Sequence, residues 1–349
     1  MPRRLHLAVF GAILAILVAA APALACGGLI GPNGAVNLLR TTTFVGYEQG
    51  IEHYVTAFKF EGGGGAFGSL TPLPGIPSSV EKGGDWTLQR LIRETEPARR
   101  QTLFAAGAAA PVEDSAQVIM QVKIDALDIT VLKGGADQVG TWAKDHGFRL
   151  PPDAPEVLDF YAQRSPIFLA AAFDADAAKA KGQAIGDGTS VHITIPTPNP
   201  WVPLRILSLG KQATDAVQAD VYLMTDGKPA LLPAADGGDG LALTYDASAS
   251  ESLLTDLRSD RGMEWVPTSA WLTKVTIDTT AVRLGFDLAI DASGQGTPSR
   301  IQAGLQKPSV TNPATAAALA FLFGLLALGA LVSLRGFVGT TSRPTAAGA

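Results

Sequence analysis

The sequence predicts an α+β fold: a β-rich extracytoplasmic domain with a few short helices, followed by one C-terminal transmembrane helix. Three observations predict it. Segments rich in β-branched and aromatic residues recur from "VNLLRTTTFVGY" at 36–47 to "AVRLGFDLAID" at 281–291, and that is strand composition. The 38 glycines and 23 prolines suit a turn-rich strand protein better than a helical bundle. The run "ATAAALAFLFGLLALGALVSL" at 314–334 holds no charge and, at ~1.5 Å per residue, is long enough to cross a hydrocarbon core of about 30 Å.

The first 25 residues read as a secretory signal peptide. Arg3 and Arg4 precede the apolar run "LHLAVFGAILAILVAAAPALA", which closes on Ala23 and Ala25 as an A-x-A cleavage site before Cys26. Leu24 stands one position too late for a lipoprotein signal, so Cys26 is expected to be a plain mature N-terminus, with a lipid adduct as the alternative. It is the only cysteine, which excludes an internal disulfide and any site built from several thiolates. Arg335 and Arg343 follow the span with no acid beside them, and the positive-inside rule places the tail at 335–349 in the cytoplasm. A single-pass protein results, anchored in the cell membrane with its N-terminal domain outside.

Between these ends lies a domain at 26–310, with two subdomains at 26–190 and 191–310 as an option. Leader and tail take four of the 27 basic and none of the 32 acidic residues, so 23 basic against 32 acidic residues remain, a formal −9. Such a surface repels phosphate backbones and argues against a nucleic-acid partner.

Along that domain, 36–47 and "IEHYVTAFKF" at 51–60 form a hairpin across "EQG". In the second strand Tyr54, Thr56, Phe58 and Phe60 share one face, and His53, Val55, Ala57 and Lys59 the other. The "GGGG" of 62–65 lacks the Lys and Ser/Thr of a phosphate-binding loop, so no nucleotide is expected. An extended, Pro-fixed edge segment through Pro72, Pro74 and Pro77 follows. Asp85 is expected to cap a helix from Trp86 to Glu96, with Leu88, Leu91 and Ile92 inward.

"QVIMQVKIDALDITVL" at 117–132 reads as strand, and "ADQVGTWAKDHG" at 136–147 as a helix burying Val139, Trp142 and Ala143 and stopping at Gly147. A short helix within 148–163 and a buried strand at 166–174 complete the first half. The second half is mostly strand: 190–209, 219–225, 241–246, 271–278 and 281–291, interrupted by one helix at 251–259. "DGGDG" at 236–240 lacks the spacing of an EF-hand and reads as a turn.

Several of these stretches resemble, in order and spacing, the bacterial family known as domain of unknown function 2330. They are the opening "ACGG", the hairpin followed by "FGSLTPLPGIP", then "ALDITVLKGGADQVGTWAKDHGFRLP", "VLDFYAQRSPIFLAAAFD" and "IPTPNPWVPLRILSL". The resemblance implies an exported, often membrane-anchored envelope protein. Many members place a second cysteine soon after the first; "GGLIGPNGA" at 27–35 has none, so no disulfide follows for Cys26.

No nucleophile elbow, metalloprotease motif or dinucleotide fingerprint occurs. No catalytic residue, cofactor or metal is therefore assigned. Outside the leader, His53 and His192 fall on strand faces and His146 at a helix end, where the helix dipole favours an imidazolium. The sequence thus reads as a membrane-anchored binding or structural module of the cell envelope, whose partner is another envelope protein or a cell-wall component. The alternative is an envelope hydrolase acting on glycan or peptide through two carboxylates.

Overall fold

The computed structural model describes residues 28–32, 34–35, 40–59, 67–96, 118–180 and 188–308. All of these up to Lys307 belong to one compact unit. The leader, Ala25, Cys26, the glycine run, the span at 314–334, Arg335 and Arg343 lie outside the described residues.

In chain order the elements begin with β1 (Gly28–Gly31), β2 (Gly34–Ala35), β3 (Thr41–Glu48), β4 (Ile51–Lys59), β5 (Phe67–Pro72) and β6 (Ser79–Lys82). Then come α1 (Thr87–Thr95), β7 (Val118–Ile124), β8 (Leu127–Lys133), α2 (Ala136–Asp145), α3 (Ala154–Ala162), β9 (Ile167–Phe173) and α4 (Ala175–Ala180). The rest is β10 (Gly188–Pro196), β11 (Trp201–Val202), β12 (Ala216–Thr225), β13 (Ala230–Leu232), β14 (Leu241–Ser248), α5 (Glu251–Ser259), β15 (Trp271–Thr280) and β16 (Leu288–Asp291).

A seven-stranded sheet runs β14-β15-β12-β3-β4-β10-β6, and a six-stranded one runs β2-β1-β5-β9-β8-β7. β11, β16 and β13 make a small third sheet. The larger sheet mixes strands from both sides of residue 190, because β12 lies parallel to β3 and β10 antiparallel to β4.

Strand alternation gives this sheet two apolar faces. Tyr54, Ile193, Val221 and Val275 share a core with Leu70, Ile129 and Leu169 of the six-stranded sheet and with Val139 and Trp142 of α2. On the opposite face Phe44, Val55, Tyr222, Met224 and Leu272 pack against Leu88 and Leu91 of α1 and Leu253, Leu254 and Leu257 of α5. We call these the inner and outer faces. The hairpin, the placing of Tyr54 on one face and of Val55 and Ala57 on the other, and the buried stripe of α2, with Trp142 2% exposed, agree with the sequence reading; Phe60 lies outside the described residues.

Five local expectations change. Residues 117–132 are two strands, because Asp125 takes φ +55 and turns the chain between β7 and β8; a short polar side chain tolerates that backbone region. The segment through Pro72 is no edge: β5 lies between β1 and β9, and Leu73–Ser78 carries the chain across to β6, the true edge of the other sheet. Residues 205–208 and 281–283 form 3-10 turns rather than strand, and α4 and β13 have no counterpart in the sequence reading.

The fifth concerns α1. The N-cap residue is Trp86, with no side-chain cap of its own, and Asp85 does not serve as one. Asp260 does the work from 174 residues away: it accepts from the Asp85 and Trp86 amides, each at 3.0 Å, and from Thr87 Oγ1 at 2.8 Å. A carboxylate at a helix N-terminus satisfies donors the helix leaves open.

Candidate functional site

β4 carries Glu52 and His53 as neighbours, and alternation sends them to opposite faces. His53 lies opposite Thr194 on β10, and His192 opposite Val55 on β4, so the two imidazoles are diagonal neighbours on the outer face. His53 Nδ1 and His192 Nε2 approach to 3.0 Å. One ring donates and the other accepts.

Trp265, in the segment between α5 and β15, covers them. Its indole lies flat on the His53 ring, with centroids 3.9 Å apart and planes 3° from parallel, and reaches Phe44 at 5.8 Å. The space for it exists because Gly46, opposite His53 on β3, has no side chain: a Cβ there would lie 2.4 Å from the indole. Trp265 Nε1 and Ser190 Oγ are buried here without a hydrogen-bond partner among the described residues.

Burial pulls both imidazoles down to about 4, and the charge His192 would carry adds to the effect on His53. Both rings are neutral at pH 7. They present two facing ring nitrogens with one proton between them, beneath the Trp265 indole and with Glu81 of β6 opposite His192.

Glu52 is the counterpart on the inner face. It is fully buried, and burial raises its carboxyl to about 8, opposed by a hydrogen bond from the Trp201 amide to Oε2 at 3.3 Å. Oε1 has no partner among the described residues. A carboxyl so placed is held as the neutral acid.

Asp287, equally buried, differs because it is saturated. Oδ1 accepts from Tyr161 Oη at 2.9 Å and from the Leu204 and Arg205 amides at 2.7 and 2.9 Å; Oδ2 accepts from Arg164 at 2.5 Å. Tyr161 Oη in turn accepts from the Ile206 amide at 2.8 Å, and the Arg164 guanidinium lies over Phe160 and Trp201. This network ties the last strand to α3 and to the 205–208 turn.

His146 stands apart from the histidine pair. It is the C-cap residue of α2, its Nδ1 bonds the Trp142 carbonyl at 2.8 Å, and its ring stacks on Trp142. Among the described residues, no group of three or more His, Cys, Asp or Glu converges as a metal centre, and no helix is long and apolar enough to cross a membrane. Sequence reasoning placed His53 and His192 on strand faces but missed their meeting. The register of two strands 139 residues apart was the missing datum.

The fold and its interior define a class: a β-rich α+β module of open sheets whose buried ionisable groups bind one another and the backbone. Residues 20–236 match the family DUF2330, described as an uncharacterized protein conserved in bacteria. The match covers more than half of the chain, and the chain belongs to that family. No curated protein matches it in sequence.

Among solved structures it is similar to a mutated baculovirus p35 after caspase cleavage, with 8% identity over 74% of this chain and 98% of that one and a TM-score of 0.38. It is also similar to a chain of the caspase-8/p35 complex, with 8% identity over 72% of this chain and 95% of that one and a TM-score of 0.37.

Proposed function

We propose that this chain is a binding or structural module of the bacterial cell envelope, held outside the membrane by the span at 314–334 after cleavage between Ala25 and Cys26. Arg335 and Arg343 keep its tail in the cytoplasm. Its partner is another envelope protein or a cell-wall component.

The observation that carries this reading is where the buried carboxylates spend their hydrogen bonds. Asp260 and Asp287 hold backbone amides of segments far away in sequence, so these acids are spent on holding the fold together. Glu52, whose raised pKa would suit a general acid, is sealed at 0% exposure, where no substrate reaches it. This weighs against the carboxylate hydrolase.

The test is crosslinking on intact cells followed by recovery of the chain. Recovery of one recurrent envelope protein or of wall fragments is the expected result. Turnover of a glycan or peptide by the purified chain, lost in a carboxylate variant that still folds, would replace this reading with the hydrolase. A reporter fused after Ala349 should be active only in the cytoplasm, and activity outside would overturn the topology.

A further inference from the structure

We propose that His53 and His192 form a two-coordinate site for a monovalent d10 cation, Cu(I) above all. The inference is independent of the envelope reading and adds a ligand to it.

The geometry supplies two imidazole nitrogens that face each other, His53 Nδ1 and His192 Nε2, 3.0 Å apart. A hydrogen bond between two neutral imidazoles and a linear N–metal–N unit use the same two atoms, aimed the same way. To accept the ion, the donor ring moves its proton to its outer nitrogen, so both lone pairs face inward. The step takes up one cation and releases no proton, and no oxidant or reductant enters it. With a metal–imidazole distance of roughly 2 Å, the nitrogens must part to about 4 Å. His53, the less buried of the two rings, opens that gap by sliding in its own plane beneath the Trp265 indole.

The surroundings select the ion. Zinc and Cu(II) call for four or more donors, and no group of three or more His, Cys, Asp or Glu converges among the described residues. Cu(I) is satisfied by two. Phe44 stacks on Trp265, Val55 lies opposite His192, and Met224 lies opposite Gly46, giving one apolar flank that suits a soft, weakly hydrated ion, while Glu81 of β6 lies opposite His192 on the other. Trp265 flat on His53 fixes the plane of one ligand ring, as supporting groups around metal ligands do.

The probe is Cu(I) presented anaerobically to the full chain as its bicinchoninate complex. One equivalent should transfer to the parent and equally to Cys26→Ser. His53→Gln and His192→Gln should each weaken transfer by about 100-fold or more, since even outer-shell changes cost up to that. X-ray absorption should show two nitrogens and no sulfur.

No transfer to Cys26→Ser, undiminished transfer to the double histidine variant, or a sulfur neighbour would each overturn the proposal. A measurement on the unmutated chain covers the case in which the variants misfold. On adding Ag(I), the imidazole 15N resonances of His53 Nδ1 and His192 Nε2 should shift and the outer nitrogens should carry the protons. Unmoved resonances would also overturn it.

Discussion

Glu52 and His53 are consecutive residues on β4, yet they face opposite sides of the seven-stranded sheet and lose their charge for the same reason. On the inner face burial holds a carboxyl protonated up to about 8; on the outer face it holds two imidazoles neutral down to about 4. The inner acid has one amide donor and one unpartnered oxygen. The outer pair has each other and an indole lid. The lesson is that alternation alone assigns a residue to a face, but what the face does with it depends on the register of strands distant in sequence.

The inner side should be the more fragile. Asp287→Ala leaves the Arg164 guanidinium, 2% exposed in its side chain, without its carboxylate and strands three donors. Breaking a buried pair in this way costs about 3–5 kcal/mol. We expect that loss in denaturant unfolding, and one below about 1 kcal/mol would show that the network relaxes freely.

The outer side should respond to added volume. Gly46→Ala puts a Cβ 2.4 Å from the Trp265 ring, and the indole must lift off His53. Overpacking of this kind costs typically 1–3 kcal/mol. Gly285→Ala, where a Cβ meets nothing within 4 Å, is the control. Equal effects of the two would mean that the lid is loose.

Much of this fold was legible in the sequence because local rules governed it. The hairpin at 41–59, the buried stripe Val139, Trp142 and Ala143, and the stop at Gly147 with φ +75 all follow from alternation, helical period and glycine's freedom. What escaped was decided by long-range contacts. Asp260 capping α1 and His53 meeting His192 leave no local trace. The split of 117–132 turned on one residue, Asp125, whose positive φ a β-rich run conceals. The candidate site was thus present as two separately placed histidines, and nothing local said that they touch.

The smallest expected effect is also the sharpest comparison of the two faces, because in the parent they oppose each other. For the histidines the folded pKa of about 4 lies below the unfolded 6.5. Their contribution to stability is therefore present above pH 6.5 and lost as pH falls toward 4. For Glu52 the folded pKa of about 8 lies above the unfolded 4.5, so its contribution is full below pH 4.5 and lost as pH rises toward 8. Between 4.5 and 6.5 the slopes have opposite sign and partly cancel. Other carboxylates titrate in this range too, so the quantity to compare is each variant's profile minus the parent's. Glu52→Gln keeps a neutral side chain of the same shape and should abolish the decline above pH 6.5, where the histidines are silent. His192→Gln should weaken the decline between pH 4.5 and about 4, where Glu52 is silent. Each difference is bounded by about 1.4 kcal/mol per pH unit for each proton. If Glu52→Gln tracks the parent from pH 6.5 to 8, Glu52 is ionised in the fold and the inner face is wetter than its burial indicates.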